Sequence, residues 1–178
     1  MSCSHFAKAV ALFVLAFGLV LLAGFGDLAA AGKADEAKKA HEALKNAKDA
    51  KDRTAAAEQL GKLGEVNYKH AEAAIPDLTA ALDDKDAGVR AASAVALGKI
   101  GPDDKKALVE KLTAMLKDDE DDAVKLAATQ GLGYLGSDAK SALGELRATK
   151  KGLSDMKGKF ARAIDAAIRT IQPPAKKK

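Results

Sequence analysis

Apolar positions along the chain recur at helical spacing. Val89, Ala92, Ser93, Ala96, Leu97 and Ile100 share one face of a 3.6-residue helix, and Val124, Ala127, Ala128, Gly131, Leu132 and Leu135 form a matching face further on. The opposite side of the first set is also poor in charge, with Ala91, Ala94, Val95 and Gly98. A helix apolar nearly all round must be covered on several sides. The segments in between are more amphipathic. Pro76 suits the first turn of one, and Asp103-Asp104 and Ser137-Asp138 offer capping oxygens and negative charge at the starts of two others. The pattern predicts eight helices, over residues 34–48, 51–63, 68–83, 86–100, 104–117, 121–135, 138–149 and 157–171.

These helices repeat. AAAEQLGKLG, ASAVALGKIG and ATQGLGYLG end at Gly64, Gly101 and Gly136, and their anchor residues Leu60, Leu97 and Leu132 are 37 and 35 residues apart by subtraction. Ile168 lies a further 36 along, in a degenerate fourth copy. A second series, Ile75, Leu78 and Leu82, returns as Val109, Leu112 and Leu116 and then as Leu143 and Leu146, at shifts of 34. Two series with nearly one period mark a repeat architecture. Gly61, Gly98 and Gly133 recur inside helices, where each costs about 1 kcal/mol, which predicts close approach of a neighbouring helix. Gly64, Gly101 and Gly136 read as C-terminal stops.

Composition agrees with helices. Trp is absent and aromatic residues make up 4% of the 178, so the core must be built from Ala, Leu, Ile and Val. Four of the five Phe residues precede Asp27. That same stretch reads as an address: Lys8, then AVALFVLAFGLVLLAGFG without a charge, then an A-x-A pattern at Ala29 and Ala31. We expect a secretory signal over 1–31, cleaved after Ala31; the alternative is an uncleaved membrane anchor. A repeat domain over 32–172 and a basic tail over 173–178 complete the domain plan. The sole cysteine, Cys3, precedes the apolar stretch, so the processed chain would have no disulfide and no thiolate metal site.

The run IPDLTAALDDKDAGVRAASAVALGKIG resembles a HEAT repeat, of the short kind also found in phycobilin lyases. Pro76, Asp84, Val89-Arg90 and Leu97-Gly98 carry the likeness. Asp119, Val124-Lys125 and Leu132-Gly133 match less fully, with Lys111 at the proline position. Arg53 is in register in the first copy without an aspartate six residues before it, and the last copy has Ala161 and Arg169 in place of the basic residue and the glycine. The likeness covers residues 51–172 and implies an all-α protein, an α-α superhelix or solenoid of about four helix pairs. It further implies that Asp84, Arg90, Asp119 and Lys125 belong to a structural ladder between repeats, with Asp84 coupled to Arg90 and, more weakly, Asp119 to Lys125. The other reading makes Arg53, Arg90 and Lys125 a basic stripe on the inner surface, facing an acidic partner.

Catalytic chemistry finds little to work with. His41-Glu42 resembles one of the His-Glu motifs of the HEAT-repeat enzyme deoxyhypusine hydroxylase, but that site needs several pairs and there is one; His41 and His70 are expected on exposed helical surface. The acidic run from Asp118 to Asp122 lacks the alternation and central glycine of a calcium loop and reads as a capping turn. No nucleophile–base motif and no phosphate-binding glycine loop is present. No catalytic residue, cofactor or metal is expected. The net charge of +4 and the terminal Lys176-Lys177-Lys178 raise nucleic acid as a partner, but there is no aromatic platform for bases, so none is expected. The sequence therefore predicts a non-catalytic, monomeric scaffold, periplasmic or secreted, that binds another protein or peptide of the cell envelope. It would touch membrane only through an uncleaved signal or the basic tail. The alternative is an enzyme or enzyme accessory like the HEAT-type phycobilin lyases.

Overall fold

The computed structural model describes residues 32–174; the expected signal or anchor and the lysine triplet lie outside them. Helix α1 covers residues 32–46 and is followed by α2 (Ala50–Val66). Then come α3 (Tyr68–Ala71), α4 (Ile75–Ala80), α5 (Ala87–Ile100), α6 (Lys105–Asp118), α7 (Asp122–Leu135), α8 (Leu143–Gly152) and α9 (Lys159–Ile171). Among the described residues there is no strand. Aspartates start four of the helices: Asp49, Asp86, Asp104 and Asp121 accept from Lys51 N, Val89 N, Ala107 N and Ala123 N, each satisfying one amide left free in a first turn.

Two expected helices are interrupted. The segment expected as one helix over 68–83 is α3, a 3₁₀ turn at Glu72–Ala74, α4 and a second 3₁₀ turn at Ala81–Asp83. Pro76 is the cause of the first break, because its nitrogen cannot donate and its ring collides with the carbonyl four residues back. The segment expected over 138–149 opens as a 3₁₀ stretch, Gly136–Ala142, that turns into α8. Ser137-Asp138 lies inside that stretch and caps nothing; Asp138 instead accepts from Lys105 Nζ at 2.9 Å.

From Ala37 onward the chain packs as one compact unit of two layers. The inner layer stacks α2 on α5, α5 on α7 and α7 on α9, while α4, α6 and α8 with their 3₁₀ turns form the outer layer. Leu60, Leu97 and Leu132 are fully buried between the layers, with Leu78, Leu112 and Leu146 from the outer side. The fourth anchor, Ile168, is only partly buried, and Ile164 and Ile171 fill the core there, as befits a terminal copy with one open flank.

Glycine sets the spacing within the inner layer. A Cβ on Gly98 would stand 2.5 Å from Gly131 Cα, and one on Gly61 would stand 2.9 Å from Ala96 Cα, so these backbones touch directly. Gly101 ends α5 at φ +63°, a left-handed conformation that suits glycine. Gly64 is not a helix stop. It lies inside α2, which runs on to Val66, and a side chain there would strike Ile100.

Candidate binding groove and the inter-repeat ladder

The ladder residues form two matching clamps. Arg53, in the first turn of α2, donates from Nε and Nη2 to the two oxygens of Asp84 in the next repeat, both at 2.9 Å. Its Nη1 donates to the carbonyls of Ala47 and Lys48 at 3.2 and 3.1 Å. Arg90, at the same place in α5, repeats the pattern: Nε and Nη2 to Asp119 at 2.9 Å, and Nη1 to the carbonyls of Asp84 and Lys85 at 3.0 and 3.3 Å. Each guanidinium thus holds the turn before its own helix and the equivalent turn of the following repeat. Each carboxylate also accepts a backbone amide, Asp86 N at 2.9 Å for Asp84 and Asp121 N at 3.0 Å for Asp119. The arginine hydrogen bond is the main cause that holds both Asp84 and Asp119 below the usual carboxylate range, against the opposing effect of burial. The same bonds raise Arg53 and Arg90.

The pairing differs from the expected one. Arg90 does not bind the carboxylate of Asp84, six residues before it; it binds that of Asp119, and takes only the main-chain oxygen of Asp84. The Asp86 amide and Arg53 together turn the Asp84 carboxylate toward the preceding repeat. Lys125 does not bind Asp119 either. Its ammonium lies 3.7 Å from Asp122 on its own helix. Asp155 continues the aspartate series, 36 residues after Asp119 by subtraction, and accepts Lys157 N at 3.0 Å in the same local turn. Yet Lys125 forms no ion pair with it, so the clamp is made at two junctions and is missing at the third.

The histidines are less exposed than expected. His41 Nε2 lies 2.6 Å from Asp77 Oδ2, because α1 lies against α4, and this bond is the main cause that lowers Asp77. His70 is half-buried, with Nδ1 enclosed and without a hydrogen-bond partner. The acidic run is divided between tasks: Asp119 serves the clamp and Asp121 caps α7. Among the described residues no group of three or more His, Cys, Asp or Glu is placed to hold a metal ion.

A groove crosses the exposed side of the inner layer. Its central hollow, about 470 Å³, has a floor of Ala91, Ala92, Val95, Ala96, Leu126 and Ala127, with Thr54, Glu58, Lys62, Lys99, Gln130 and Lys159 around it. A second hollow of about 340 Å³ shares Thr54, Glu58 and Gly88 with the first and extends it along α2 to Ala50. A third, about 430 Å³, shares Gln130 and continues between α7 and α9 to Thr170. Ala94 and Gly98 are buried as the all-round apolar pattern requires, but Ala91 and Val95 stay half-buried and face this groove. Arg53, Arg90 and Lys125 are not among its lining residues.

Its cations are other residues, overlooked in the sequence. Lys62, Lys99 and Tyr134 each stand two positions after a leucine anchor, so they form a row across α2, α5 and α7. Lys99 donates to Glu65 at 2.7 Å, which is the main cause that raises its pKa, and its ammonium lies 5.4 Å from the centre of the Tyr134 ring. Tyr134 is 52% exposed. The signal was the offset from the anchor, which repeats as faithfully as the anchor itself.

Two layers of helices, a period of 35 to 37 residues between anchors, and arginine–aspartate clamps at successive junctions define an α-solenoid. The chain belongs to the HEAT-repeat family: a family model described as HEAT repeats matches residues 37–133, more than half of its length. No curated protein matches the chain. HEAT repeats generally mediate protein–protein interaction. No helix among the described residues is long and apolar enough to cross a membrane.

Proposed function

We propose that this protein is a non-catalytic, exported scaffold that binds another protein or peptide of the cell envelope along the groove of its inner layer. The observation that carries the reading is the division of labour among polar groups. The ladder arginines are consumed by the fold, whereas the groove keeps an apolar floor with Glu58, Lys62, Gln130 and Lys159 around it, whose side chains are unpaired among the described residues. Export is supported by Lys8, the charge-free stretch after it and the small residues at Ala29 and Ala31.

The test is recovery of the chain from the envelope fraction, with its N-terminus sequenced and its bound proteins compared with those of Val95→Arg. An N-terminus near Gly32 is expected, together with proteins captured by the natural chain and lost from the variant, whose arginine fills the central hollow. An intact start at Met1, or identical capture by both forms, would sink the address and the groove reading respectively.

A further inference from the structure

We infer that the C-terminal helix pair is an electrostatic docking surface for an anionic lipid bilayer, independent of the groove. Charge is divided unevenly along the chain. Residues 33–137 hold seventeen lysines and arginines against twenty acids, a net of −3, whereas residues 138–178 hold eleven against four, a net of +7. Pairing does not absorb the excess. Two of the four acids are already taken, Asp138 by Lys105 of α6 and Asp165 by Lys150. Lys151, Lys157, Lys159, Arg162 and Arg169 are exposed, with side chains unpaired among the described residues. Arg147 is exposed too and meets only the neutral amide of Gln172, at 2.9 Å.

The fold gathers these charges on the open flank of the last copy. In α9 the buried positions are Ala161, Ile164, Ala167 and Ile171. With about 3.6 residues per turn, Lys159, Arg162 and Arg169 fall in one sector on the opposite side, along about 15 Å of helix. The bond to Gln172 sets the Arg147 guanidinium beside the end of α9, and Lys151 and Lys157 stand on either side of the turn between α8 and α9. The sequence adds Lys176-Lys177-Lys178 after α9, outside the described residues.

A basic surface attracts any polyanion, and one side chain selects among them. Met156, 50% exposed, lies in the same turn between Lys151 and Lys157. An apolar group among cations gains nothing from a hydrated acidic polymer. At a bilayer it enters the boundary between headgroups and acyl chains while the lysines meet the phosphates. Nucleic acid would call for exposed rings to stack on bases, and the exposed Tyr134 belongs to the groove. The acidic remainder of the chain is repelled by the same lipid, so the molecule docks by its C-terminal end. That leaves the central hollow, walled mainly by α2, α5 and α7, to a protein partner.

The test is sedimentation of the full-length chain with two kinds of vesicle, phosphatidylcholine alone and phosphatidylcholine with about one-third phosphatidylglycerol. The apolar stretch before Asp27 contributes to both alike, so the basic flank is read from the excess on anionic vesicles. That excess is expected to disappear as salt is raised. Arg162→Gln with Arg169→Gln should weaken it about twentyfold, at about fivefold for each cation, and Met156→Ser should weaken it about threefold. Lys38→Gln with Lys39→Gln is an equal change of net charge at exposed positions of α1, and should alter it by less than about twofold. No excess on anionic vesicles, or equal loss from the two double variants, would overturn the inference. So would a Met156→Ser variant that binds both anionic vesicles and soluble dextran sulfate as tightly as the natural chain, which would assign the flank to acidic polymers.

Discussion

Arg90 makes four hydrogen bonds, two to the carboxylate of Asp119 and two to carbonyls of the turn before its helix. Its side chain is 13% exposed and that of Asp119 is 10%, so the pair lies between the surface case, worth about 0–1 kcal/mol, and the fully buried case, where loss of one partner costs about 3–5 kcal/mol. We expect Arg90→Ala and Asp119→Ala each to cost roughly 2 kcal/mol in denaturant unfolding, and the double variant to cost little more than either. The cycle of Arg90 with Asp84 should instead be close to additive, because that contact runs through the main chain. Strong coupling to Asp84 and none to Asp119 would contradict the clamp. Acid supplies a second measure. Asp119 is depressed in the folded state, so the unfolded chain takes up its proton first, near pH 4, and the stability present above about pH 5 falls as the pH drops toward the folded value. Arg90→Ala removes the cause of that depression and should flatten this part of the pH profile. The residue types of the ladder were legible from the repeat, but its pairing was not. Six residues between Asp84 and Arg90 suggest a local pair, and nothing in that spacing says that the Asp86 amide turns the carboxylate toward the preceding repeat.

The helices of the inner layer were the most legible elements, because α2, α5 and α7 carry the anchors and are apolar on more than one face. The expected ranges 86–100 and 121–135 compare with Ala87–Ile100 and Asp122–Leu135. The outer layer was less legible, since a period-3.6 pattern continues through the 3₁₀ turns around Pro76 even though the hydrogen-bond ladder does not. Gly64 misled for a related reason: glycine at the end of a conserved-looking run reads as a stop, and here it is a contact with Ile100. Contact and conformational freedom can be separated by substitution. Gly98→Ala gains about 1 kcal/mol of helix propensity but drives a methyl into the backbone of Gly131, an overpacking that costs about 1–3 kcal/mol or more, so we expect a net loss in thermal unfolding. Gly144→Ala, on α8 with nothing within 4 Å of the added carbon, should raise stability by up to about 1 kcal/mol. An increase for Gly98→Ala would mean that α5 and α7 are not in backbone contact.

At the scale of the whole molecule, the solenoid was legible and its groove was not. Repeated leucines announce a stacked core, whereas the groove is lined by Ala, Gly and Val that look like further core residues when only the sequence is read. The missing third clamp has a consequence for how the molecule comes apart. A stack whose neighbours are joined unequally opens first at its weakest joint. The joint between α7 and α9 has Lys125 facing Asp122 rather than Asp155; the bond from Lys150 to Asp165 lies within the last pair, and the bond from Lys105 to Asp138 that crosses to the preceding repeat is half exposed on the outer layer. Amide exchange should therefore be faster through α8 and α9 than through α5 and α6, with the C-terminal pair detaching while the rest stays folded. Lys125→Arg offers a fork that can span to Asp155 and should slow exchange in α9 by about fivefold. Uniform exchange along the stack would show that apolar packing alone sets the joint. If the C-terminal pair does open by itself, the third hollow, between α7 and α9, opens with it, and a bound segment that reaches Thr170 acts as the fastener that the sequence left out at this junction.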